Sequence, residues 1–205
     1  MGMRIRKKWD LLSEQAGTLA ILAVCFLLGG AVGSLLASLS SGAGAQELSG
    51  YLTDYLTLAS EEGVPRSLWP ILWGQLKGSL SVLVLGLTGL GVIGLPLLFG
   101  VRGFFFTFSV ACFFRIFGGR GFFPAFLLFG LPALLWAPAL FLMGVPGFLS
   151  AQRQLRRSLG EGRGEFPVSG AYWSRAGLCV GLSLAAGLLE FWVVPVLLRA
   201  AARVV

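Results

Sequence analysis

Histidine is absent from the 205-residue chain, and that absence removes much hydrolytic chemistry. Ser-His nucleophilic catalysis and the histidine-containing zinc protease motifs both need the imidazole as base or ligand. A Ser-Lys pair would have to use Lys7, Lys8 or Lys77, all at the edges of apolar segments beside water. An aspartyl dyad needs two neighbouring acids, and of the nine Asp and Glu residues only Glu190 falls inside an apolar segment. Cys25, Cys112 and Cys179 each sit alone in an apolar run, with neither metal-ligand spacing nor a disulfide framework. The chain reads as not an enzyme, with no cofactor and no metal.

The elements that must position the remaining polar groups are membrane helices. A mean hydropathy of +0.84, 12% charged residues and 17 phenylalanines lie outside the range of soluble domains. The expected fold class is all-α, an integral membrane helical bundle of about five transmembrane helices forming a single membrane domain over residues 1–205. The net charge of +7 arises from basic residues flanking apolar segments, not from a stripe interleaved with stacking aromatics, which argues against a nucleic-acid partner.

Apolar runs at about 17–39, 80–99, 103–117, 122–149 and 176–198 give five segments. Residues 1–16 form a basic N-terminus that the positive-inside rule keeps in the cytoplasm. Residues 40–78 become an exterior loop, and 150–175 a basic cytoplasmic loop attractive to anionic lipid. The C-terminus then lies outside, and the Lys and Arg residues divide ten inside to six outside. Ala43-Gly44-Ala45 has the small residues of a signal-peptidase site, but the preceding apolar run exceeds the roughly 7–15 residues of a signal sequence, so segment one reads as an uncleaved anchor.

Segment three is the exception in length. About 15 residues at about 1.5 Å each span roughly 22 Å, short of the roughly 30 Å hydrocarbon core. The segment is therefore either a short crossing or a re-entrant half-helix. The interruption before it, at Gly94, Pro96, Gly100 and Arg102, reads as a cytoplasmic turn with Arg102 at the inner headgroups, since an arginine at mid-bilayer costs about 2.5–3.5 kcal/mol.

Arg115 and Glu190 both fall in the outer half of the bilayer in this scheme and form a candidate intramembrane ion pair. Such a pair either ties segments three and five together or marks a proton or ion path. Gly29-x-x-x-Gly33 and Gly177-x-x-x-Gly181 have the spacing of helix-packing faces. Prolines 96, 124, 132, 138 and 146 interrupt segments two and four, as kinks or as the broken helices of a transporter. Outside, Leu48, Tyr51, Leu52, Tyr55 and Leu56 recur at helical spacing, and Trp69 and Trp73 lie one turn apart. Together they are a candidate partner surface or a helix resting on lipid.

The run from Gly91 to Gly144 resembles the stage II sporulation protein M family of bacterial membrane proteins. The resemblance rests on Ile93-Gly94-Leu95-Pro96, then Arg102-Gly103 and an aromatic-rich segment, then Gly121-Phe122-Phe123, and the Leu131-Pro132 to Pro138-Ala139 stretch ending at Met143-Gly144. The one departure is the wholly apolar Ala133–Ala137, where the family pattern has some polar amide character. The resemblance implies a noncatalytic scaffold in the cell membrane, at the septum during forespore engulfment. Its implied partners are the sporulation D and P proteins, which remodel peptidoglycan. The competing reading is a small permease or transporter subunit, for which the interrupted segments and Glu190 speak.

Overall fold

Five stretches of the chain combine helix-forming apolar residues with enough length to cross a bilayer, and each is helical in the computed structural model, which describes residues 2–39, 68–121, 125–160 and 170–202. Helix α1 covers Gly2–Leu39, α2 Leu68–Gly86, α3 Gly91–Phe117, α4 Leu131–Ser158 and α5 Gly170–Ala202. No strand occurs among the described residues. The apolar spans within these helices are Glu14–Leu39, Leu68–Gly86, Gly91–Arg115, Leu128–Ser158 and Tyr172–Val193. The architecture is an all-α bundle with the make-up of a multi-pass membrane protein.

The break between the second and third helices lies elsewhere than the sequence suggested. Leu87–Leu90 forms the turn, with Leu87 N–H bonding to Leu83 O and Gly91 N–H to Thr88 O. Gly94 through Phe108, including Pro96 and Arg102, runs inside α3. The third span is therefore 25 residues, roughly 37 Å at about 1.5 Å per residue, and neither short nor re-entrant. Pro96 is tolerated because a proline in a membrane helix forfeits one backbone hydrogen bond that neighbouring helices and local adjustment offset. Helix α2 begins at Leu68, so residues 68–78, assigned to an exterior loop, are helical. Helix α4 runs on to Ser158, into the expected cytoplasmic loop.

Contacts along the seams fix the directions of the helices. Helices α1 and α3 are parallel: Gly29 meets Gly100, Gly33 meets Phe104, and Arg115 reaches Ala37 and Ser38. A Cβ on Gly29 or Gly103 would fall on the backbone of the facing helix, so this approach requires glycine on both sides. With little apolar driving force between helices in lipid, such close backbone packing holds them together. Thr107 Oγ1 adds a cross-helix hydrogen bond, donating to Gly30 O at 2.7 Å.

Helices α2 and α5 are antiparallel, joined by the paired hydroxyls of Ser79 and Ser183, with the Cys179 thiol donating to Ser79 Oγ at 3.7 Å. Helix α4 closes the bundle against α2, α3 and α5. Leu22, Val82, Leu95, Phe99, Met143 and Cys179 are among the side chains that fill the core. Phe99 and Phe141 meet edge-on, with ring centroids 4.8 Å apart.

Candidate functional site

Three polar side chains from three helices line shared cavities between the middle of the bundle and the end nearer Leu39 and Leu68. Gln75, two turns into α2, donates from Nε2 to Glu190 Oε2 of α5 at 3.0 Å. Arg102 of α3 sets its guanidinium over the Trp136 ring of α4, 5.5 Å from the centroid. All three residues line a cavity of about 440 Å³ whose walls include Phe105, Phe106, Ser109, Phe129, Pro132 and Trp136. The same three line a second cavity of about 400 Å³ with Pro70, Ile71 and Gly74. The polar trio therefore stands where two cavities adjoin.

Local sequence explains how an arginine comes to sit in the bundle. Gly78 of α2 faces the Arg102 head, and a Cβ there would occupy the space of the guanidinium. Trp136 supplies a ring face whose quadrupole attracts the cation, an interaction of about 2 kcal/mol when desolvated. That offsets much of the roughly 2.5–3.5 kcal/mol that a mid-membrane arginine costs on the insertion scale. The placement at the inner headgroups expected for Arg102 is thus corrected: a residue read as a turn marker is an interior cation.

The wall formed by Leu128 and Phe129 belongs to a π-helical turn, Phe126–Gly130, that leads into α4. Its cause is Pro132, whose ring would press on the carbonyl four residues back, at Leu128. Leu131 N–H bonds instead to Phe126 O, five residues back, and the widened turn makes room for the proline. Such turns recur at functional sites.

The expected pair of Arg115 and Glu190 does not form. Arg115 Nη1 donates to Ala37 O at 2.7 Å and to Ser38 O at 3.0 Å, carbonyls in the last turn of α1 that lack an intrahelical donor. A cation at a helix C-terminus is also favoured by the helix dipole. Glu190 accepts a hydrogen bond from Gln75. The error came from pairing two charges by depth alone, with no knowledge of which helices touch.

The comparisons add no relative. The chain matches no protein-family model, no curated protein and no solved structure. Among the residues that carry the family resemblance, Leu95 is fully buried, Gly94 lies against Leu85, and Gly103 lies on the Phe26 backbone. Pro96 sits inside α3, and Arg102 reaches the cavity.

Of the candidate partner surface, Trp69 and Trp73 stack with rings 9° from parallel and are exposed on the first turns of α2. Leu48, Tyr51, Leu52, Tyr55 and Leu56 lie outside the described residues. Gly29 and Gly33 do form a packing face, whereas Gly177 and Gly181 are exposed with no atom near their Cβ positions. Among the described residues no cluster of three or more His, Cys, Asp or Glu could hold a metal ion.

Sequence reasoning missed Gln75, Gly78 and Trp136. A signal existed for the first. Gln75 and Ser79 are one turn apart, and Ser183 and Glu190 two turns apart, so each pair marks one helix face with a polar stripe.

Proposed function

We propose that the chain is a noncatalytic membrane scaffold that recruits peptidoglycan-remodelling enzymes, of the sporulation D and P type, to the septum during forespore engulfment. The observation that carries this reading is the use made of the motif residues. Gly94, Leu95 and Gly103 are spent on helix packing, as expected of a motif that maintains a bundle rather than a reaction centre.

The orientation proposed with it has the N-terminus in the cytoplasm and the C-terminus outside, in the cell membrane. Moving the turn to Leu87–Leu90 leaves Arg4, Arg6, Lys7, Lys8, Arg153, Arg156, Arg157, Arg163 and Arg175 on the cytoplasmic side, so the positive-inside bias persists. Gln75, Glu190 and the Trp69–Trp73 stack then belong to the outer half, the side on which cell wall is built, with Arg102 at the middle of its span.

The test is deletion of the gene in its host, with a fluorescent P-type hydrolase as the readout. The scaffold reading expects stalled engulfment and a hydrolase dispersed from the septum. A deletion strain that engulfs normally and retains the hydrolase there would overturn it.

One observation favours a second reading, a small permease or transporter subunit: Gln75, Arg102 and Glu190 border two adjoining cavities, as residues along a solute path do. Purified protein in liposomes that moves a solute across the bilayer, and loses that flux with Glu190→Gln, would favour it. Liposomes without flux would count against it.

A further inference from the structure

At the opposite end of the bundle, where the first span begins and the fourth ends, a cavity of about 310 Å³ lies between α1 and α4. Its α1 wall is Glu14, Gly17, Thr18 and Ile21, at i, i+3, i+4 and i+7, so a single helix face forms it. Its α4 wall, Leu149, Gln152, Arg153 and Arg156, has the same spacing. The two helices run antiparallel here, since Phe26 meets Trp136 and Leu22 meets Gly144. Ile21 and Leu149 are therefore the deep ends of the walls, and Glu14 and Arg156 the shallow ends. Gly17 has no atom near its Cβ position, which keeps the space between the walls clear.

Two guanidiniums one turn apart offer planar donor forks that match the oxygens of a phosphate. Among the described residues no hydrogen bond, ion pair or ring contact engages Arg153 or Arg156. Against them stands one carboxylate, the exposed Glu14, so the walls hold one excess positive charge. That suits a group of one negative charge and opposes a dianion. Depth agrees with a headgroup. The fourth span has 31 residues, roughly 46 Å at about 1.5 Å each, against a hydrocarbon core of roughly 30 Å. Its last turns, with Arg153 and Arg156, therefore reach the headgroups, and Glu14 is the first residue of its own span. Ile21 is 47% exposed and carries the wall onto the outer surface of α1, where acyl chains lie. A basic rim above an apolar floor that opens sideways to lipid follows the order of parts in a phospholipid, and basic pockets between membrane helices take such headgroups.

We propose that this groove binds the phosphodiester of a singly charged anionic phospholipid, its phosphate between Arg153 and Arg156 and its chains leaving over Ile21 and Leu149. In the orientation proposed above the lipid belongs to the cytoplasmic leaflet, but the site does not depend on that assignment. It is also independent of the scaffold role: either can hold without the other.

The experiment titrates the purified full-length protein, in a maltoside detergent, with dioctanoyl phosphatidylglycerol, dioctanoyl phosphatidylethanolamine and tail-less glycerophosphoglycerol, and reads binding by calorimetry. Saturable binding of the glycerol lipid is expected, at least tenfold tighter than the ethanolamine lipid and than the tail-less headgroup. Arg153→Gln and Arg156→Gln, at exposed positions, should each weaken it about tenfold. Arg175 is the control: it is exposed near the start of the fifth span, at the same end of the bundle, but does not line this cavity. Arg175→Gln should change the affinity less than twofold. Glu14→Gln should leave the glycerol lipid unchanged or tighter. An equal loss from Arg175→Gln would reduce the site to diffuse attraction by a basic surface and overturn it, as would the absence of saturable binding. Equal affinity for the ethanolamine lipid, or weakening by Glu14→Gln, overturns the anion assignment. Equal affinity for the tail-less headgroup overturns the lipid source.

Discussion

The Arg102 guanidinium lies over Trp136 at 5.5 Å from the ring centroid, and it does so only because Gly78 has no side chain in its way. A glycine on α2, an arginine on α3 and a tryptophan on α4 thus act as one unit. Gly78→Ala should displace the guanidinium and cost about 1–3 kcal/mol, the usual penalty for an inserted group in a packed interior. Because the clash is with one side chain, the cost should fall by at least half in the background Arg102→Leu. Equilibrium unfolding of the four proteins in mixed micelles gives the coupling energy. Additive penalties would mean that Gly78 is needed for some other contact.

Much of the fold was legible from hydropathy, since five apolar runs become five helices, the third of them longer than its apolar run suggested. The boundary of α2 and α3 was not. Pro96, Gly94 and Arg102 advertise a break, yet a membrane helix absorbs all three when neighbouring helices supply packing and a cation finds an interior ring. The true turn, Leu87-Thr88-Gly89-Leu90, is quieter: one threonine and one glycine between apolar residues. The candidate site was less legible still. Glu190 stood out as an isolated acid, but its neighbours Gln75 and Arg102 are set by which helices touch, and no periodicity within a single helix contains that information.

The relocated turn makes a labelling prediction. In a variant with Cys25, Cys112 and Cys179 replaced by alanine, Thr88→Cys and Gly119→Cys should react with a membrane-impermeant maleimide from opposite sides, and in the orientation proposed above Thr88→Cys reacts from the cytoplasmic side. Val101→Cys should be at least tenfold slower from either side, because position 101 lies mid-helix on a membrane-spanning segment. Fast labelling at 101 would restore a turn near Arg102. Labelling of 88 and 119 from the same side would remove the third crossing.

The parallel seam of α1 and α3 separates packing glycines from incidental ones. Gly29→Ala puts a methyl onto the Gly100 backbone, which cannot rotate aside, so the helices must part. A loss of about 1–3 kcal/mol is expected, and Gly103→Ala should behave alike. At Gly177 and Gly181 nothing stands near the new methyl, so alanine there should change stability by no more than about 0.5 kcal/mol. Thermal unfolding in one detergent orders the four variants, and equal effects at all four positions would contradict the seam.

Arg115 tests whether a charge at a membrane helix end serves stability or transport. Its two hydrogen bonds go to Ala37 and Ser38, so its removal should act on the end of α1 and not on the Glu190 cavity. Arg115→Gln, keeping a donor but losing the charge, should destabilise by roughly 0.5–1.5 kcal/mol, the net worth of an ordinary hydrogen bond. Arg115→Leu should cost more, because the last-turn carbonyls then lose every donor from α3. Hydrogen exchange localises the effect. Faster exchange is expected in the peptide covering Leu35–Leu39, with unchanged exchange around Gln75 and Glu190. If loss of Arg115 instead loosened the α5 region, charge coupling between Arg115 and Glu190 would have to be reinstated, and with it the ion-path interpretation of that pair.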